Sequence, residues 1–125
     1  MEWTVRLEAE GPHIHVTTRG SFNVNDHLRM IEDILSRPFW VPGMRALFDH
    51  RQLNMTGATY ATMAAAGENQ LRHDDRIGSG KAAVVMGSVA AFGSARQYEM
   101  LVEGQAAASM RIFLDLAEAR AWLLE

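Results

Sequence analysis

The stretch KAAVVMGSVAAFGSARQYEMLVEGQAAASMRIFLDLAEARAWLL, residues 81–124, decides the fold of this chain. Its first six residues form a nearly continuous apolar run, which is typical of a strand covered on both faces of a sheet. A glycine-bearing loop follows, and apolar residues then recur at helical spacing through residues 91–102. Residues 111–114 predict a short last strand, and Asp115 with Glu118 begins a last helix in the manner of a capping box. The stretch is thus the closing half of a domain of alternating strands and helices.

The beginning of the chain predicts a pair of strands. Apolar and polar side chains alternate through residues 3–8 and again through residues 13–18, which is the pattern of half-buried strands. Gly11-Pro12 between them predicts a turn. We therefore expect the two strands to pair as an antiparallel hairpin.

A first helix and a third strand follow the hairpin. Asn23 or Asn25 caps the helix, and Pro38 ends it. Residues 44–49 then form the third strand.

A second helix begins after Thr56 or Thr59 and presents one face made of Tyr60, Met63, Gly67 and Leu71. Gly67 on this face would let a strand approach the helix closely. Residues 73–80 after the helix are expected to form a surface loop.

These segments predict one α/β domain over residues 1–125, with the element order β-β-α-β-α-β-α-β-α. Strands that are joined through single helices pair in parallel by right-handed crossovers. We expect a mixed, mostly parallel five-stranded sheet with four helices, in which residues 82–86 form the most buried strand.

Composition and charge exclude several classes of protein. The chain is 48% apolar and 22% charged, as is ordinary for a globular domain. A net charge of −3 argues against a nucleic-acid surface, and the lack of cysteine removes disulfides and thiolate chemistry. The first ten residues lack the apolar core of a secretion signal, and no apolar run reaches the ~20 residues of a membrane span. We expect a cytoplasmic protein that needs no cofactor.

Four segments carry a resemblance to a known family: HIHVTTRG (13–20), FWVPGMRALFDHRQL (39–53), KAAVVMGSVAAFGSARQYEML (81–101) and MRIFLDLAEARAWL (110–123). They resemble the SpoIIAA-like family of small bacterial proteins, which have STAS or CRAL-TRIO-type domains. The resemblance implies a fold shared with anti-sigma-factor antagonists and with the lipid-binding half of CRAL-TRIO carriers. It also implies binding of apolar ligands and association with membranes, but no established activity.

One loop departs from the pattern of the anti-sigma-factor antagonists, which carry a phosphorylated serine in an Asp-Ser loop after the third strand. Here the loop reads LNMTGATYAT (53–62). Thr56 could sit near the position of that serine, but the flanking Asp-Ser is missing. The departure argues against a phosphorylation switch.

The carboxyl ends of parallel strands are where such sheets bind ligands. The candidate ligand-binding residues at these ends and on the helix that follows are Asp49, Arg51, Ser88, Phe92, Arg96 and Tyr98. Arg96 could clamp a carboxylate or a phosphate while Phe92 and Tyr98 cover an apolar tail. Alternatively, Arg96 pairs with Asp49 or Glu99 and fixes the helix to the sheet.

His13 and His15 are expected on one side of the second strand, a spacing that zinc can use. A third ligand would have to come from Asp49 or His50. Paired histidines on the polar side of a strand are more often solvated, so we expect no metal.

Phe39-Trp40-Val41 lies between two prolines and is predicted to be buried, or to form a dimer or membrane contact. A two-fold contact through Phe39 and Trp40 would give a homodimer. The chain also has eight methionines, which suit either an irregular pocket or gaps in a core.

The leading interpretation is a non-enzymatic binding module that holds a small apolar or amphipathic anionic ligand between sheet and helices and touches membranes peripherally. An alternative is a protein–protein interaction module like the anti-sigma-factor antagonists. A third interpretation, a hydrolase-like enzyme, lacks a G-x-S-x-G elbow and a base for Ser88 or Ser94. A continuous apolar cavity with Arg96 at its mouth would favour the first interpretation.

Overall fold

In the computed structural model, which describes residues 1–9 and 13–125, five strands form a single sheet. The strands are β1 (Glu2–Glu8), β2 (His13–Ser21), β3 (Arg45–Asn54), β4 (Lys81–Met86) and β5 (Ser109–Phe113). They lie side by side in chain order, with β1 antiparallel to β2 and every later pair parallel. The mixed, mostly parallel sheet and the antiparallel first pair are confirmed. The turn predicted at Gly11-Pro12 lies outside the described residues.

The described residues form five helices: α1 (Val24–Ser36), α2 (Tyr60–Arg72), α3 (Asp74–Ile77), α4 (Val89–Val102) and α5 (Leu116–Leu123). Side-chain oxygens of Asn23, Thr59, Ser88 and Asp115 cap α1, α2, α4 and α5. The prediction of four helices was wrong by one. The additional helix, α3, has four residues and lies in the run that we expected to be a loop, because one helical turn is too short to show apolar periodicity.

The two faces of the sheet have different cores. Ile14, Ala46, Ala82 and Met110 are register neighbours on β2 to β5, and their face is covered by α1, α2 and α4. The next residues along the strands, among them Leu47 and Ala83, face α5 on the other side. The alternation follows from the two-residue period of a strand.

Helix α5 packs closely on the sheet, whereas α2 does not. Helix α5 contacts β3, β4 and β5, and it places Ala119 and Leu123 against Ala83. The main contacts of α2 are with α1 and α4. Gly67 of α2 contributes to these contacts, because a Cβ there would lie 3.3 Å from Cγ1 of Val102 in α4. The close neighbour of Gly67 is therefore a helix and not the strand that we expected.

Two burial predictions were wrong. His13 and His15 are 5% and 4% exposed rather than solvated, because β2 is an interior strand and its polar-looking face is covered. Tyr60, expected on the buried face of α2, begins that helix and is 64% exposed. Among the described residues, no helix has the length and apolar content needed to cross a bilayer.

Candidate functional site

A cavity of about 140 Å³ lies between the sheet and the layer formed by α1, α2 and α4. Ala46 and Ala82 line it from the centre of the sheet, and Ala95 lines it from α4. These small side chains face each other where larger ones would fill the space between the layers. The cavity therefore exists because short side chains occupy the middle of both layers while α2 packs mainly against its neighbouring helices.

Methionine is the most frequent residue in the wall of this cavity. All eight methionines belong to the described part of the chain, and seven of them line the cavity: Met1, Met30, Met44, Met55, Met63, Met86 and Met110. The eighth, Met100, is 65% exposed on α4. Because methionine is unbranched and flexible, such a wall can adjust to the shape of a bound molecule.

Four uncharged polar side chains interrupt the apolar wall. His27 comes from the first turn of α1, His50 from β3, Gln70 from α2 and Tyr98 from α4. The Tyr98 hydroxyl donates a hydrogen bond to Oε1 of Gln70. A largely apolar cavity with a few convergent polar groups is the usual composition of a small-molecule site.

His50 is held in place by its neighbours. Its Nδ1 lies 2.6 Å from Oγ1 of Thr18, and its ring lies 5.9 Å from that of Phe48. Because Thr18 engages Nδ1, Nε2 is the nitrogen of His50 that remains for another partner.

His27 packs by its ring and lacks a partner for one nitrogen. The ring centroids of Phe22 and Tyr98 lie 6.2 and 5.7 Å from that of His27. Within residues 1–9 and 13–125, no donor or acceptor lies at hydrogen-bond distance from the buried Nδ1 of His27. A buried polar atom without a partner is rare in folded proteins, so it is a feature that a function could explain.

The two histidines and the tyrosine of the cavity are neutral near pH 7. Burial lowers the pKa of both His27 and His50 from 6.5 to about 4, and at His27 the nearby His50 contributes to the lowering. Burial also raises the pKa of the Tyr98 phenol. The four polar side chains therefore offer hydrogen bonds without a full charge.

Charged groups near the cavity are directed elsewhere. Of the described lining residues, Lys81 is the one with a charged side chain, and its Nζ lies 3.0 Å from the carbonyl of Trp122 in α5, on the other face. The amino group of Met1 pairs with Asp26 at 3.1 Å. An anionic ligand would find no free cation among these groups.

The structure does not bring the six predicted site residues together. Tyr98 lines the cavity. Phe92 is not among the lining residues and packs against a hydrophobic cluster that includes Val84. Arg96 forms an ion pair with Glu99 on its own helix, one of the two pairs that we considered.

Asp49 and Arg51 lie away from the cavity. They form a two-pronged ion pair, with Arg51 donating to the Asp49 carboxylate at 2.9 and 2.8 Å. This pairing keeps the pKa of Asp49 below its usual value. His50 lines the cavity, so the residues on either side of it in β3 project to the α5 face. The end of β3 does carry polar residues, as predicted. Because side chains alternate along a strand, however, His50 lies on the cavity face and Asp49 and Arg51 lie on the α5 face.

Ser88 occupies a second depression, of about 420 Å³, beside the ends of β3 and β4. Its hydroxyl caps α4 by accepting a hydrogen bond from the Ala91 amide at 3.1 Å. Thr56 and Ser94 line the same depression, and none of its described lining residues carries a charge. This is the crevice predicted from the strand ends, but it lacks the cation of the predicted clamp.

His13 and His15 do not form part of a metal centre in the described structure. No three histidine, aspartate or glutamate side chains within residues 1–9 and 13–125 are grouped as metal ligands would be. His15 instead lies 3.5 Å from Glu8 and 3.2 Å from Arg6 on the neighbouring strand. Burial lowers the pKa of His15.

Two polar cavity residues, His27 and Gln70, were not considered from the sequence, and His50 was considered only at the end of the third strand and as a third zinc ligand. His27 precedes Ile31 and Ile34 at helical spacing, so it lies on the apolar stripe of α1. A histidine on such a stripe was a usable signal. The unusual number of methionines was a second signal.

A solved structure shares this fold along nearly the whole chain. It is an uncharacterised protein of the DUF3478 family with a SpoIIAA-like fold, from Shewanella loihica PV-4. The two chains are 15% identical, the TM-score is 0.61, and the match covers 97% of this chain and 93% of that chain. No protein-family model and no curated protein matches the chain. The chain therefore has a SpoIIAA-like fold, and the similarity shows the fold alone.

Proposed function

We propose that this protein is a binding module that holds a small, mainly apolar molecule in the cavity between the sheet and helices α1, α2 and α4. The observation that carries the proposal is a largely apolar cavity of about 140 Å³ whose wall includes seven methionines and a few neutral polar groups. An engineered apolar cavity of about 150 Å³ binds benzene. The size therefore suits a single ring.

The same size argues against a long lipid. Pockets for drug-sized ligands are about 300–1,000 Å³, well above the volume found between these layers. The lipid binding and membrane contact implied by the STAS and CRAL-TRIO resemblance would need more room or another surface. We therefore place a small molecule in the cavity rather than an acyl chain.

The anionic ligand predicted from Arg96 also has less support than a neutral one. Arg96 is paired with Glu99, and the ammonium of Lys81 is on the other face. A carboxylate buried without a cation is costly. The proposal thus keeps the apolar ligand and replaces the anionic group by a neutral one.

Binding is favoured over catalysis by the separation of the candidate groups. Ser88 and Ser94 line the depression near the strand ends, whereas His27 and His50 line the cavity. In the described part of the chain, the Ser88 hydroxyl accepts from a backbone amide and has no histidine as its partner. The interaction-module alternative rests on the resemblance to the anti-sigma-factor antagonists, whose Asp-Ser loop is missing here.

A thermal-shift titration with toluene tests the proposal. Toluene should raise the melting temperature of the wild type, since a ligand that binds the native state stabilises it. Ala82→Leu fills the cavity and should abolish the rise, while Met100→Leu, outside the cavity, should keep it. An absent rise in the wild type, or an equal rise in Ala82→Leu, would contradict the proposal.

A further inference from the structure

We infer that the ligand is a neutral, benzene-sized aromatic molecule with one hydroxyl group, which it places against the imidazoles of His27 and His50. The inference rests on the proposed function and adds the chemical class of the ligand.

The walls favour an aromatic ring. Seven methionines surround a volume close to that of a cavity known to hold benzene. Thioether sulfurs make favourable contacts with aromatic rings, often at the ring edge. A flat ring between the sheet and the helices could contact several of these sulfurs at once.

The polar groups favour a hydroxyl. The Tyr98 hydroxyl and Gln70 already bond to each other, and Thr18 engages Nδ1 of His50. His27 has a buried nitrogen without a partner in the described structure. A neutral imidazole has one donor and one acceptor, and a hydroxyl can both donate and accept. A hydroxyl lying between the two imidazoles would donate to one of them and accept from the other.

The surrounding charges disfavour an acid of the same size. A carboxylate only accepts hydrogen bonds, and it would bring a charge into a cavity whose nearest ammonium groups are committed to Trp122 and Asp26. Phenol and benzoate are therefore expected to differ sharply, although their rings are alike.

Calorimetric titrations with phenol, toluene and benzoate at pH 7 test this inference. The wild type should bind phenol and toluene, and benzoate should show no binding at concentrations that saturate with phenol. His27→Phe should weaken phenol binding about two- to tenfold, the value of one hydrogen bond, and change toluene binding less than about twofold. His73→Phe, which replaces an imidazole outside the cavity, should change neither.

The outcomes separate the two proposals. If His27→Phe weakens phenol and toluene equally, or if benzoate binds as tightly as phenol, the hydroxyl inference is overturned while the binding function stands. If the wild type binds neither toluene nor phenol, the binding function itself fails. Should His27→Phe not fold, His27→Leu is compared in the same way.

Discussion

The imidazole of His27 is buried and has a nitrogen without a partner in the described structure. Its removal should therefore cost the ligand-free protein little free energy of unfolding. In His27→Phe the ring contacts with Phe22 and Tyr98 can persist, and a buried unpaired polar atom is lost. We expect the free energy of unfolding to be unchanged within about 1 kcal/mol, or higher, in urea denaturation.

Tyr98→Phe is the matched comparison, because it leaves Oε1 of Gln70 without its donor. A buried acceptor left unpaired costs about 1–3 kcal/mol, so this variant should be clearly less stable. Equal losses in the two variants would show that the unpartnered nitrogen of His27 has no energetic significance.

The two cavity histidines, His27 and His50, predict how the free energy of unfolding depends on pH. Burial lowers the pKa of His27 and His50 from 6.5 to about 4 in the folded protein. Between these values the unfolded chain binds protons that the folded chain does not, so stability falls as the pH is lowered from about 6.5 to about 4.

Urea denaturation at several pH values measures this slope. His27→Phe should show a shallower fall than the wild type over the same range, since one of the buried histidines whose pKa is lowered by folding is removed. A wild-type free energy of unfolding that stays flat between pH 6.5 and pH 4.5 would show that these imidazoles are not desolvated.

At the scale of elements, adjacent residues of strand β4 face opposite sides of the sheet. Ala82 faces the cavity, whereas Ala83 is fully buried beneath α5. Ala82→Leu can place its added carbons in the cavity and should keep or raise the melting temperature. Ala83→Leu has no such space and should lose about 1–3 kcal/mol by overpacking. Calorimetric melting of both variants checks this, and a similar loss in both would argue against the cavity.

The helices and strands were largely predictable from the sequence. The distance between the sheet and its covering helices was not. Strand β4 was evident from its continuous apolar run, and Asp115 caps α5 as predicted. Asn23 and Thr59 cap α1 and α2, and each is one of the two caps that the sequence allowed. The burial of His13 and His15 was missed because the cover on that face comes from parts of the chain remote in sequence, and local alternation cannot report it.

The site was harder to predict than the fold for a related reason. A cavity depends on the distance between two layers, which apolar periodicity does not encode. Alternation also assigned neighbouring residues of β3 to opposite faces, so His50 entered the cavity while Asp49 and Arg51 paired outside it. Tyr98 was identified because it lies on the predicted helix stripe and also faces the cavity.

At the scale of the whole molecule, the two faces of the sheet differ in how closely they are packed. The α5 face is closely packed around Leu47, Ala83 and Val85, while the opposite face contains the cavity. The ligand proposed for the cavity would leave the closely packed side undisturbed. This division explains how a domain of 125 residues can contain a cavity and still have a well-filled core.

The homodimer predicted through Phe39 and Trp40 is a separate property at this scale. Trp40 lines the cavity and donates from Nε1 to the carbonyl of Arg76 at 2.8 Å, so its substitution would disturb the fold as well as a contact. Val41, which is 61% exposed beside it, is the better probe. If the segment forms a dimer, sedimentation should show a dimer for the wild type and a monomer for Val41→Ser. A wild-type monomer at high micromolar concentration would remove the prediction.

The distribution of the methionines allows the central claim to be tested in one measurement. A protein labelled with ¹³C in its methionine methyl groups is titrated with toluene and followed by NMR. Methyl signals of the seven cavity methionines, with Met63 and Met86 among the most buried, should shift with a common saturation curve. The signal of exposed Met100 should stay in place. Unchanged cavity signals, or a shift of Met100 as large as theirs, would contradict binding between the sheet and its three covering helices.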